Sequence, residues 1–451
     1  MKQLILALLS ASLLCGCAGR DWQMPEQPDL MPRETVEQAY SVNPEWWELY
    51  EDDGLNRSVA LALERNIDLA RSAIKVNTAL YRANQLEAEL VPSFSSSASM
   101  GSRKQLDSGN SSRSYSASFG LSYEIDLWGK LRDSASAQEW EMHATEQDRE
   151  AARLALINSV ANTWHNLAYT KEAIAISRET LKTYERLSAI EHEKYSAGKS
   201  DRLNADQAEQ SLLAQKNSIV ALQTQLAQQE QTLRDLLDLR PGDALPAQAK
   251  TLSEAKIPSV DLNVPVSALG LRPDLKAAEY RIMGAFRSWS ASRAALYPSV
   301  TIGGTLGASS DSQRTLFRAP FLNGLVTLNL PFLDWNRVKW NVRISEASFE
   351  EAKLSFRKAL TQALNEVARY DTEFTNALAQ LDLAQKKHEA DRRIENYRRI
   401  RFSEGADDLK DWLGAINASH ASKMSALNAK YAAICAANAI FEAQAGQLLA
   451  K

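Results

Sequence analysis

The sequence predicts an α+β membrane protein, internally duplicated, in which long α-helical coiled-coil hairpins alternate with four β-strands per chain. Three observations carry this. Long tracts, one of roughly 65 residues, lack helix breakers and step their apolar positions by three and four. Four shorter segments alternate apolar with small polar residues at period two. The whole pattern recurs after 206 or 207 positions.

The composition agrees. Of 451 residues, 45% are hydrophobic and 24% charged, which excludes general disorder. Gly (18) and Pro (13) are scarce enough to leave long helices uninterrupted. Lys and Arg total 52 against 56 Asp and Glu, so no basic footprint for nucleic acid exists. Cys15, Cys17 and Cys435 give no disulfide framework, and Cys435 reads as a small helix-core residue.

The chain opens with Lys2 and an apolar stretch from Leu4 to Leu14, the charge order and length of a signal peptide over residues 1–16. Leu14-Cys15-Gly16-Cys17 resembles a bacterial lipobox, with Cys17 as the lipidated residue. Ala18 follows it rather than Asp, which in such lipoproteins points to the outer membrane. No other run approaches the ~18–20 apolar residues of a membrane helix, so a membrane span must be built from strands. Residues 17–54, with Pro25, Pro28, Pro32 and Pro44, read as a lipid-anchored extended linker.

The first repeat is expected over residues 55–238. A helical pattern runs from Leu55 to Leu90 and breaks at Val91-Pro92. Ser93 to Met100 reads as one strand. Ser114 to Leu127 reads as a second, with Tyr115, Ala117, Phe119, Leu121, Tyr123, Ile125 and Leu127 on an apolar face. Small hydroxylated residues on the opposite face suit a watery lumen. From Leu131 to Tyr195 nothing breaks a helix of about 100 Å. After Gly198, Leu212, Gln215, Ile219, Leu222, Leu226, Gln229, Leu233 and Leu236 keep a heptad seam.

Residues 239–270, rich in Pro and Ala, read as a connector, and 271–440 as the second repeat. Its strands carry Val300, Ile302, Leu306 and Ala308, then Leu322, Val326, Leu328, Leu330 and Phe332. A second seam runs through Met424, Leu427, Tyr431, Ile434, Asn438, Phe441, Ala445 and Leu448, into a C-terminal end at 441–451. Pro92 aligns with Pro298, Trp128-Gly129-Lys130 with Trp335-Asn336-Arg337, and Tyr195-Ser196-Ala197-Gly198 with Phe402-Ser403-Glu404-Gly405. Four strands cannot close a membrane barrel, and lipid tolerates no open edge, so closure requires several chains.

Pro44-Glu45-Trp46-Trp47 with Leu55-Asn56, Asn66-Ile67-Asp68-Leu69, Leu271-Arg272-Pro273-Asp274-Leu275 and Ser292-Arg293-Ala294-Ala295-Leu296-Tyr297-Pro298 occur in order on this register. By these motifs the chain resembles the TolC-type outer-membrane efflux channels, lipoprotein (NodT-like) branch. The resemblance implies a homotrimer with a 12-stranded β-barrel in the outer-membrane lipid bilayer of a Gram-negative bacterium. It also implies a periplasmic α-barrel tunnel, without a cofactor. It implies partners too: a periplasmic adaptor (membrane-fusion) protein and an inner-membrane pump of the RND or ABC type. The function implied is tripartite efflux, with type I-like peptide or protein secretion as the alternative and a structural coiled-coil lipoprotein as the remote one. Gly198 and Gly405 are implied as the periplasmic tips. Tyr195, Phe402 and Asp411 are the aperture candidates, although Gly414 and Phe402 replace an Asp and a Tyr common in the family. Asp407 and Asp408 read as helix N-terminal charges. Arg392, Arg393, Arg398, Arg399 and Arg401, interleaved with Asp391 and Glu395, read as a salt-bridged face.

An enzyme is not supported. Tyr195-Ser196-Ala197-Gly198-Lys199-Ser200 ends like a phosphate loop, but Glu193 stands where its first Gly is needed. The five His residues lie in helical tracts without metal-ligand spacing.

Overall fold

The structure is a computed structural model that describes residues 40–107, 109, 111–261 and 266–450. The leader, Cys17 and the linker up to residue 39 lie outside the described residues. In chain order the elements are β1 (Tyr40–Asn43), α1 (Asp53–Arg65), α2 (Ile67–Glu87), β2 (Ser93–Lys104), β3 (Ser111–Ile125), α3 (Lys130–Ser196) and α4 (Arg202–Leu236). There follow α5 (Pro273–Ala294), β4 (Ser299–Ser310), β5 (Phe321–Asn329), α6 (Trp335–Ser403), α7 (Leu409–Ala443) and β6 (Gln447–Ala450). Each repeat thus supplies helix, two strands, a helix of 67 or 69 residues, a turn and a 35-residue helix.

Contacts divide the described chain into two compact units. One comprises residues 73–148 and 274–359. Its centre is an antiparallel sheet in the order β2-β3-β4-β5. The registers Phe119↔Leu306, Tyr123↔Ile302 and Leu306↔Leu322 stack the apolar positions of neighbouring strands on one face. The other face carries Ser97 opposite Ser118 and Ser99 opposite Ser116, their hydroxyls 2.8 Å apart in both pairs. Phe94, Met100, Leu322 and Val326 remain exposed in the single chain. Ile125 rather than Leu127 ends β3, and Asn329 ends β5. Leu330 and Phe332 lie beyond β5 because Pro331 opens a 3-10 turn and cannot donate to a ladder. At the helical end of the sheet, Asp126 accepts hydrogen bonds from the Leu131 and Arg132 amides and so caps α3. The Trp128 ring stacks on Tyr297 and its indole N–H donates to the Pro298 carbonyl.

The second unit comprises residues 40–72, 149–273 and 360–450 of the described chain. Its helices pack along the expected seams. Leu154, Ile157, Ala161, Trp164 and Ala168 of α3 are buried, as are Gln215, Ile219 and Leu233 of α4. The seam of α7 ends at Phe441; Ala445 lies past the helix in the left-handed region and Leu448 belongs to β6. The helical pattern of 55–90 is two helices, broken at Asn66, whose extended backbone and side-chain oxygen cap α2 through the Leu69 amide.

The linker expected up to residue 54 ends earlier. β1 pairs with β6, and a 3-10 turn at Trp46–Tyr50 buries Trp46, Trp47 and Tyr50 in the largest core cluster. Trp46 stacks on Phe441 at 5.2 Å. Two bulky indoles gain more from burial than an extended anchor segment would allow. Asp52 holds this segment twice: one carboxylate oxygen accepts from Gly54 N to cap α1, the other from the Trp164 indole. The connector, through Leu245, Ala247, Ile257 and Val260, packs against the same cluster.

Inside this core a polar ladder is satisfied rung by rung. Tyr50 OH donates to Asn438 Oδ1 at 2.5 Å, Asn438 Nδ2 to Asn162 Oδ1 at 2.8 Å, and Asn162 Nδ2 to Asn158 Oδ1 at 2.9 Å. His165 lies beside it, its Nδ1–H donating to the Ala161 carbonyl at 2.7 Å. Burial pushes the imidazole down to about 4, outweighing the Ala161 carbonyl and the Asp52 charge, which pull it up. As pH falls below 6.5 the unfolded chain takes up a proton that folded His165 refuses. Stability is therefore lost between about pH 6.5 and 4, by up to about 3 kcal/mol. His165→Leu should flatten this slope in thermal unfolding of the detergent-extracted protein; an unchanged slope would assign the acid sensitivity to another group.

Candidate functional site at the hairpin tips

The ends of the two helical hairpins, α3–α4 and α6–α7, lie in the second unit and are built alike. At Gly198, φ is +67°, and at Gly405 it is +73°. In the first tip Lys199 N donates to Lys194 O and Gly198 N to Tyr195 O; in the second Ala406 N donates to Arg401 O and Gly405 N to Phe402 O. This is the same Schellman closure 207 residues apart. A Cβ at either glycine would meet open space, so the residue is needed for its left-handed backbone, not for room.

Each turn is then clasped by a carboxylate that reaches a residue nine positions away, across the reversal. In the first, Glu191 accepts from Lys194 Nζ at 2.8 Å and from Ser200 Oγ at 3.1 Å. In the second, Asp407 accepts from Arg401 Nε at 2.6 Å and from Arg398 at 3.0 Å. The shift of 207 aligns Glu191 with Arg398, Lys194 with Arg401 and Ser200 with Asp407. Between the halves the cation stays in place, Lys194 or Arg401, while the carboxylate moves from one side of the turn, Glu191, to the other, Asp407. Both acids are nearly enclosed, with side chains 2% and 5% exposed. Arg401 and Arg398 hold the Asp407 carboxyl below the usual carboxylate range.

Asp407 is therefore more than a helix N-terminal charge, the role its position suggested. Asp408 occupies the N-cap position of α7 without a side-chain capping bond. Within the arginine run Arg398 and Arg401 are salt-bridged, but not to the interleaved acids: Asp391 pairs with Lys387, whereas the two arginines reach Asp407 across the turn. Asp411 is exposed by half and lies 3.6 Å from Arg398. Phe402 packs on Trp412 at 4.8 Å, and Lys194 of the first tip sits 4.5 Å above its ring. Tyr195 is exposed. Behind the tips Tyr184, Leu187, Ala208, Leu409, Leu413 and Ile416 form a small core, where Tyr184 OH donates to Asn417 Oδ1 at 2.8 Å. Burial and the Glu395 charge push that phenol up to about 12.

A two-faced sheet with exposed edges, joined to duplicated helical hairpins with matched tips, defines a subunit of a membrane channel. The chain belongs to the outer membrane efflux protein family, whose pattern it matches over residues 59–238 and 264–446. It is 40% identical to an uncharacterized protein of Haemophilus influenzae, covering 100% of this chain and 99% of that one. It is 39% identical to the toxin and drug export protein A of Aggregatibacter actinomycetemcomitans, covering 99% and 98%. The crystal structure of the Campylobacter jejuni CmeC outer membrane channel superimposes with a TM-score of 0.85 at 24% identity, covering 95% of each chain. The protein is thus an outer-membrane channel subunit of a tripartite export system, with the trimeric α+β fold and periplasmic tunnel of its family. Its relatives are channels rather than enzymes.

Replacing Gly405 by Leu should weaken the second tip by about 1–2 kcal/mol, the cost of a left-handed backbone with a Cβ. Asp407→Asn should speed amide hydrogen exchange over residues 399–412, and Asp411→Ala should leave it near wild type. The Asp407 contribution is present above pH 3.8 and lost only as pH falls through its lower folded value, so the difference should hold from pH 5 to 8. Equal exchange in Asp407→Asn and wild type would remove the clasp.

Proposed function

We propose that the channel opens and docks at its paired tips, and that cargo is selected by the pump rather than by the channel. The observation that carries this reading is the polar face of the sheet. It presents Ser95, Ser97, Ser99, Ser116, Ser118 and Thr305, a run of short neutral hydroxyls between Arg103 near one end and Glu124 near the other. Such a wall passes many solutes and recognises none. On this reading the cargo is small amphiphilic drugs delivered by an inner-membrane pump of the RND or ABC type through a periplasmic adaptor. Tyr195 and Phe402 narrow the mouth, and Asp411 gives it a cation preference that Arg398 reduces.

A second reading, export of a polypeptide, is favoured by the 39% identical relative named for both toxin and drug export. The two separate in one experiment. Deleting the gene should raise dye and drug accumulation in the host, with recovery by wild type and not by the double variant Gly198→Leu/Gly405→Leu. Unchanged accumulation with loss of a secreted polypeptide would establish the second reading instead.

The lipobox supports anchorage of the mature N-terminus through Cys17. Cys17→Ser should abolish incorporation of radiolabelled fatty acid while leaving trimers in the outer-membrane fraction. Undiminished label would place the acyl chain elsewhere.

A further inference from the structure

We propose that the outward end of the β2–β3 ribbon is a binding site for the phosphate of the phosphorylated glycolipid in the outer leaflet. The location in the outer membrane is the family's; the site rests on register and charge. β2 and β3 pair without a bulge from Ser93↔Ser122 to Lys104↔Ser111, so side chains keep strict alternation to the end of the ribbon. The face that carries Phe94, Ala98 and Met100, opposite Leu121, Ala117 and Tyr115, is the apolar face. It continues into Ser102↔Arg113 and Lys104↔Ser111. Two cations and two hydroxyls therefore crown the face that meets lipid.

Their height is appropriate. From Ile125 to Tyr115 the apolar face of β3 runs ten residues, about 34 Å along the strand, or about 25 Å vertically at the ~40° tilt of such barrels. That is the height of the hydrocarbon band of outer-membrane barrels. Arg113 and Lys104 begin where the band ends, on the side away from the helices, since α2 and α3 join β2 and β3 at the opposite end. That end faces out of the cell when the helices hang in the periplasm.

Lys104 and Arg113 are diagonal cross-strand neighbours, about 7–8 Å apart. Both are exposed, and among the described residues neither meets a carboxylate. Like charges so placed repel unless an anion lies between them. The surroundings add to this: residues 101–114 and 310–320, the two outer strand ends and their turns, hold five cations and two carboxylates in a chain of net charge −4. A phosphate monoester offers close to two negative charges and three acceptor oxygens at neutral pH, matching one guanidinium, one ammonium and the Ser102 and Ser111 hydroxyls. The acyl chains of the same lipid lie along Met100 and Tyr115 below. Arg103, opposite Ser112, stands on the other face of the ribbon and cannot share the ligand.

The test is native mass spectrometry of the delipidated detergent-solubilised protein with bisphosphorylated lipid A, and with the same lipid dephosphorylated. Wild type should retain the phosphorylated form in preference, and Lys104→Ala/Arg113→Ala should retain about tenfold less. Arg103→Ala should bind as wild type. Bilayer conductance equal to wild type shows that the double variant still forms the channel; should it not assemble, Arg113→Gln alone carries the comparison. Wild-type retention of lipid A by the double variant, equal binding of the dephosphorylated lipid, or an equal loss in Arg103→Ala would each overturn the proposal.

Discussion

A strand edge cannot face hydrocarbon. Each unpaired backbone N–H or C=O left in lipid costs several kcal/mol, so a membrane sheet either closes or fails to form. This chain brings four strands and leaves β2 and β5 as edges. Neither edge carries the Pro or bulge with which soluble proteins blunt exposed strands, and both are regular to their ends. They await strands from another copy. Association is therefore the condition under which the sheet exists at all, and the trimer of the family is its solution.

The helices obey a related rule in water. Helices of 67 and 69 residues gain stability only from neighbours that cover their apolar stripes. The small polar ladder from Tyr50 to Asn158 and the indoles of the N-terminal turn tie α3 and α7 together within their seams, at Asn438. An apolar core of similar volume would bind as well; a ladder with every rung satisfied also fixes which residues face one another.

Much of this was legible in the residues because it rests on periodicity. Alternation set the two faces of the sheet, three-four spacing set the seams, and self-similarity located both tips. What escaped has no period. Trp46 to Tyr50 belongs to the core through a non-local stack on Phe441, nearly 400 residues away, and prolines upstream suggested a linker. Asn66 breaks a helix by its own capping bond, which a periodic apolar pattern masks. The Asp407 clasp depends on the chain reversing, so Arg398 and Arg401 looked as though they would pair along their own helix. The signal was present all the same: carrying the repeat alignment through Glu191, Lys194 and Ser200 would have marked all three counterparts as one cluster.

Duplication kept the shape of the two tips and moved their carboxylate from one side of the turn to the other. The first is closed by a carboxylate on a hydroxyl and an ammonium, the second by a carboxylate between two guanidinium groups. Six hairpin ends in a trimer are therefore not six equivalent ends, and the assembly is threefold rather than sixfold in its response to solution conditions. The first clasp holds one ion pair and a hydroxyl, the second two ion pairs on one carboxylate. Added salt weakens both, and the second has more to lose.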